Sequence, residues 1–133
     1  MALSFNRLLT REEMEALLPP GVEPFWGAIS AYSDEEIAKA PVLAYRLVGL
    51  PLGGFWDGDP QFTEEKFPGE LRGLSKIPNH SSRALKRTAD YLQQNGIRYY
   101  GLVVCGQPAD LLKLQDNLAV SAAVVGAVTG GEA

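Results

Sequence analysis

Leu92-Gln93-Gln94-Asn95-Gly96-Ile97-Arg98-Tyr99-Tyr100-Gly101-Leu102-Val103-Val104-Cys105-Gly106-Gln107-Pro108 contains the end of one helix, a whole strand and the start of a second helix. Asn95-Gly96 supplies the left-handed residue at which a helix stops, and Ile97 stands where such a stop takes its hydrophobic contact. Upstream, Ser81 or Ser82 can cap a helix in which Leu85, Ala89 and Leu92 recur at helical spacing, leaving Lys and Arg on the outer face. Downstream, Ile97 to Cys105 is dominated by β-branched and aromatic residues and predicts a strand. Gly106-Gln107 then turns the chain, Pro108 suits the first position of a second helix, and Asp110 faces the positive end of its dipole. Asn117 closes that helix, Val120 to Val128 predicts another strand, and Thr129 to Ala133 is a small, polar tail. The result is an α-β-α-β unit. Two strands joined by such a crossover helix should be parallel or should flank another strand, and a right-handed connection is strongly favoured.

The first half carries the same kind of punctuation. Ala2 to Asn6 alternates Leu3 and Phe5 with Ser4 and Asn6, a strand with one buried face. Thr10 and Glu13 have the spacing of a capping box, with Leu9 and Met14 at the staple positions, and Pro19-Pro20 ends the helix that follows. Val22 to Tyr32 predicts a strand whose pairing Pro24 pushes towards its later residues or an edge. Ser33 and Glu36 repeat the capping box, with Pro41 limiting that helix to one or two turns, and Val42 to Val48 predicts a further strand. Gly49 to Pro68 is rich in Gly, Pro and acids and predicts an ordered, irregular excursion, followed by a short helix between Gly69 and Ser75. The whole order implies one α+β domain: a mixed, mostly antiparallel sheet with helices packed on one face.

Composition bounds the function. A chain of 133 residues with 46% hydrophobic and 21% charged residues has room for one core that needs no staples. Its longest apolar run, Leu118 to Val128, is too short to span a bilayer and is interrupted by Ser121 and Gly126. The start of the chain, Met1 to Arg7, lacks the pattern of a secretory signal. The net charge of −4 argues against direct nucleic-acid binding. It also conceals an asymmetry: residues 1–70 hold five Lys/Arg against twelve Asp/Glu (−7), whereas 71–98 hold six against Asp90 alone (+5). That basic segment either faces an anionic membrane surface or pairs with the acidic half of the same fold.

Catalytic and metal chemistry find little footing. His80 is the lone histidine and Cys105 the lone cysteine, which leaves neither a thiolate-rich metal site nor a Ser-His-Asp triad in a nucleophile elbow. Cys105 follows Leu102-Val103-Val104, so a buried, inert thiol is expected. Gly49 to Gly54 lacks the lysine of a phosphate loop, and Asp57 and Asp59 depart from the calcium-loop pattern and read as a turn. No catalytic residue, metal ligand or cofactor is expected. The candidate ligand or partner surface comprises Trp26, Phe55, Trp56, Asp57 and Phe62, which can alternatively complete the core.

The run from Tyr91 to Asn117 resembles the C-terminal domain of Gram-positive sigma-factor regulators: a helix ending in Asn-Gly, a strand with a Tyr-Gly pair and a terminal Gly, and a Leu-Leu-Lys-Leu helix. Leu3-Ser4-Phe5-Asn6-Arg7 with Leu9 to Leu18 is similar to the start of that domain. The excursion from Gly49 to Pro68 has no counterpart in the pattern. The resemblance implies a noncatalytic sensor on the extracytoplasmic side, belonging to a membrane-anchored anti-sigma-type protein and controlling transcription indirectly. Its partners would be an unknown protein or small-molecule signal and the membrane helix of the parent protein, with a homo-oligomer possible. The competing class is a stand-alone small-molecule-binding or enzymatic α+β domain that uses the aromatic excursion with Asp57 or Asp59.

Overall fold

The computed structural model describes residues 1–42, 48–53, 56–78 and 82–124. In chain order the elements are β1 (Ala2–Leu9), α1 (Arg11–Leu17), β2 (Glu23–Ile29), α2 (Asp34–Lys39), β3 (Gly49–Pro51), α3 (Pro60–Ser75), α4 (Ser82–Asn95), β4 (Tyr99–Cys105), α5 (Pro108–Gln115) and β5 (Val120–Val124). The strands form one five-stranded sheet in the order β3-β2-β4-β1-β5, and every neighbouring pair is antiparallel. The strands joined through α5, β4 and β5, are parallel to each other and lie on opposite sides of β1.

Alternation along the strands sorts the two faces of the sheet. Leu3, Phe5 and Leu9 of β1, Leu50 of β3, and Leu102 and Val104 of β4 all point inward. There they join one cluster with Met14 of α1, Leu71 of α3, Ala89 and Leu92 of α4 and Leu114 of α5. The helices that bury apolar residues therefore cover a single face, and Ala2, Ser4, Val103 and Cys105 on the other face are exposed. Register shifts in β4 opposite both neighbours turn Tyr99 inward, and its ring occupies the space a side chain at Gly27 would need. Glycine is required there by close approach rather than by a turn.

Several boundaries differ from the sequence reading for identifiable reasons. Gly49 to Pro68 is not an irregular excursion: its first residues pair as β3 with Trp26 to Ala28, and its last nine open α3. Asp59 caps α3 by accepting from the Gln61 amide at 3.0 Å, Pro60 occupies its first turn, and the helix continues through Pro68 and Gly69 to Ser75. The short helix expected at Gly69 is its second half. Pro68 forfeits one backbone bond, but it is buried with Leu71 beneath the helix, and packing outweighs that loss. Of the strand expected at Val42 to Val48, residues 43–47 lie outside the described residues, and Val42 is in an exposed 3-10 turn. The end of the last strand beyond Val124, His80 and Phe55 also lie outside them. Cys105 is exposed, not buried: its apolar neighbours alternate between faces, and Cys105 falls on the face that, among the described residues, no helix covers.

Candidate functional site

The end of α4 borders a cleft. Gly96, with φ of +75°, ends the helix and donates to the Leu92 carbonyl at 2.8 Å, while Asn95 Nδ2 donates to the Tyr91 carbonyl at 2.9 Å. The chain then reverses into β4. Immediately before the strand, the Arg98 carbonyl accepts from the Ser30 amide at 2.8 Å, which fixes the end of β2 beside the start of β4. The Tyr91 hydroxyl lies 3.4 Å from Ser30 Oγ. Leu8, near the end of β1, supplies an exposed apolar wall. Together Leu8, Ser30, Tyr91, Gln94, Asn95, Gly96 and Arg98 line a half-open cleft of about 310 Å³.

That volume suits a small ligand. Arg98 is exposed and, among the described residues, has no ion-pair partner. One free guanidinium, two hydroxyls and two carboxamides beside an apolar wall favour a compact polar molecule with a carboxylate or similar anionic group.

A second polar cluster lies between α1, α3 and β4. Arg11 donates from Nε to Glu64 and pairs with Glu15 at 3.3 Å. Burial pushes the Glu64 carboxyl above its ordinary pKa, against the pull of Arg11. Burial likewise raises the Tyr99 phenol, and the negative charge of Glu64 adds to the shift. Among the described residues, the Tyr99 hydroxyl is the buried side-chain polar atom without a partner. The cluster ties α1 to α3 above a fully buried ring.

The surface expected from sequence is distributed differently. Trp26 lies on the helix-free face of the sheet, against Gly49. Trp56 packs against Gly58, Asp57 is exposed beside it, and Asp59 is the α3 cap. Phe62 is exposed on the first turn of α3, with Lys66 Nζ 4.7 Å from its ring centre. None of these residues lines the cleft. The cleft residues escaped the sequence reading because they come from positions 8, 30 and 91–98; the one local signal, Asn95-Gly96, reads as a helix stop. Among the described residues no group of three or more His, Cys, Asp or Glu could hold a metal ion, and no helix is long and apolar enough to cross a membrane.

No curated protein and no solved structure matches the chain. A family model does, over residues 1–127, a span that contains every element from β1 to β5. On that match, which spans nearly the whole chain, the protein belongs to the sigma factor regulator C-terminal family.

Proposed function

We propose that the chain is the noncatalytic sensor domain of an anti-sigma-type regulator. It is presented on the extracytoplasmic side by a membrane-anchored parent protein and alters transcription through a sigma factor that it does not itself touch. The observation that carries this reading is the family match across 1–127. The geometry adds a place for a signal, because the cleft draws its walls from the ends of β1, β2 and α4 and the residue leading into β4. A ligand bridging those elements favours one arrangement of them over another, and only such differential binding shifts an equilibrium. The cleft, rather than the aromatic surface around Trp56, is where a small-molecule signal would bind.

The test is genetic. Deleting the coding region of this chain and sequencing transcripts should change the genes under one sigma factor and leave the others at their basal level. Unaltered transcripts under envelope stress and in exponential growth would refute the proposal. Added protease should digest the domain in intact cells stripped of their wall; digestion only after lysis would refute the extracytoplasmic placement. Arg98→Glu, which reverses the cleft's cation, should shift the signal concentration needed for the response without lowering the amount of protein.

A further inference from the structure

The basic excess of residues 71–98 divides into three groups in the folded chain. Arg72 donates to Asp90 at 2.8 Å and to Gln93, and Arg87 is held by Glu36, so these two cations pair within the domain. Arg98 belongs to the cleft. Lys76, Arg83 and Lys86 are exposed and have no acidic partner among the described residues.

These three meet at one corner. Lys76 caps the C-terminus of α3, and Ser82 Oγ donates to the Ile77 carbonyl at 2.7 Å, which holds the first turn of α4 against the end of α3. Arg83 follows Ser82, and Lys86 lies three residues on, along the same side of the helix. Leu74 and Ile77 occupy this corner and are 51% and 56% exposed. The acid on the last two turns of α3 is Glu70, so cations prevail.

We propose that the α3–α4 corner docks on a bilayer surface carrying anionic lipid, with Leu74 and Ile77 entering the headgroup boundary and Lys76, Arg83 and Lys86 meeting the phosphates. Apolar side chains rimmed by Lys and Arg are the composition that an anionic interface holds. A contrasting exposed apolar side chain is Leu118, 92% exposed, at the α5–β5 turn. Asp110 and Asp116 outnumber Lys113 there, and an anionic surface would repel it. The inference goes beyond the sensor reading and does not depend on it, since it concerns the isolated chain and a lipid surface.

The experiment is co-sedimentation of the full chain with vesicles of phosphatidylcholine alone or of equal parts phosphatidylcholine and phosphatidylglycerol. Binding is expected to the mixed vesicles only and should weaken as salt is raised. Each cation at such a surface strengthens binding about fivefold, so Lys76→Glu with Arg83→Glu and Lys86→Glu should reduce it at least ~100-fold. Leu74→Ser with Ile77→Ser should also weaken binding while keeping the preference for anionic lipid. All five side chains are exposed, and an unchanged circular-dichroism melting curve is the control for folding. Absence of binding to the mixed vesicles, equal binding to both compositions, or binding indifferent to the charge reversals would overturn the proposal. So would displacement from the vesicles by an acidic polypeptide or RNA at equal charge concentration, which would assign the corner to a macromolecular polyanion.

Discussion

The helices α1 and α2 begin in the same way and are held in opposite ways. Each opens with a complete capping box: Thr10 accepts from the Glu13 amide and Glu13 from the Thr10 amide, and Ser33 and Glu36 do the same. Each follows an extended cap residue, and each is too short to persist by helix propensity alone. Beyond the first turn they diverge. Leu9 and Met14, the staple pair of α1, are both fully buried in the core. The helix α2 buries no residue, and the side-chain hydrogen bonds that join it to another element all come from Arg87, among the described residues. That guanidinium bonds Glu36 through Nε at 2.6 Å and through a terminal nitrogen at 2.5 Å, donates to the Ala31 carbonyl at 2.8 Å, and lies 4.3 Å from the Tyr32 ring centre. One local signature thus serves a helix anchored by burial and another anchored by a charged latch.

Met14→Ala should have the largest effect. It should cost about 2–5 kcal/mol of global stability, because it opens a cavity under α1, and urea unfolding would read the loss. Arg87→Ala should cost less, about 1–2 kcal/mol, since the pair is partly exposed. Its signature is local: amide exchange should accelerate in α2 and stay unchanged in α1. Equal acceleration in both helices would show that the latch belongs to the common core.

Acid sharpens the contrast further. The bonds from Arg87, reinforced by the Ser33 amide, hold the Glu36 carboxyl down at about 2 from an ordinary 4.5. A depressed folded-state value stabilises the fold above the unfolded value and is lost as pH falls through the folded one. Protection of α2 from this bond should therefore be full above about pH 4.5, weaken progressively below it and be lost near pH 2. Exchange rates corrected for intrinsic pH dependence would detect an earlier loss. The smallest effects concern the caps themselves. Thr10→Ala and Ser33→Ala should each cost about 1 kcal/mol of local helix stability. The first should reach the global unfolding curve, and the second should show only in α2 exchange.

The elements legible in the sequence were those whose cause is local. The two capping boxes, Gly96 as a helix stop, and Pro108 in the first turn of α5 each depend on a few adjacent residues, and each stands where the spacing predicts. The stretch from Gly49 to Pro68 was not legible, since Pro68 and Gly69 act as breakers unless a helix is held from outside. Here burial of Pro68 and Leu71 and the bond from Arg11 to Glu64 hold it, and these contacts join residues far apart in the chain. Asp59-Pro60 did carry the signal for the start of α3, as an acid cap before a first-turn proline. The exposure of Cys105 and the assembly of the cleft both required knowledge of which sheet face the helices cover. Periodicity defines two faces and does not choose between them.

The position of β1 also sets the order in which the sheet can be completed. Within this domain, β1 is made before its two partners and lies between them, with Leu3 opposite both Leu102 and Ala123. Until those partners are synthesised it has unsatisfied edges on both sides, so closure must span almost the whole length of the chain. Such nonlocal pairing slows folding relative to helical domains of similar size. It also leaves both edges of β1 open in the growing chain until β4 and β5 have been made.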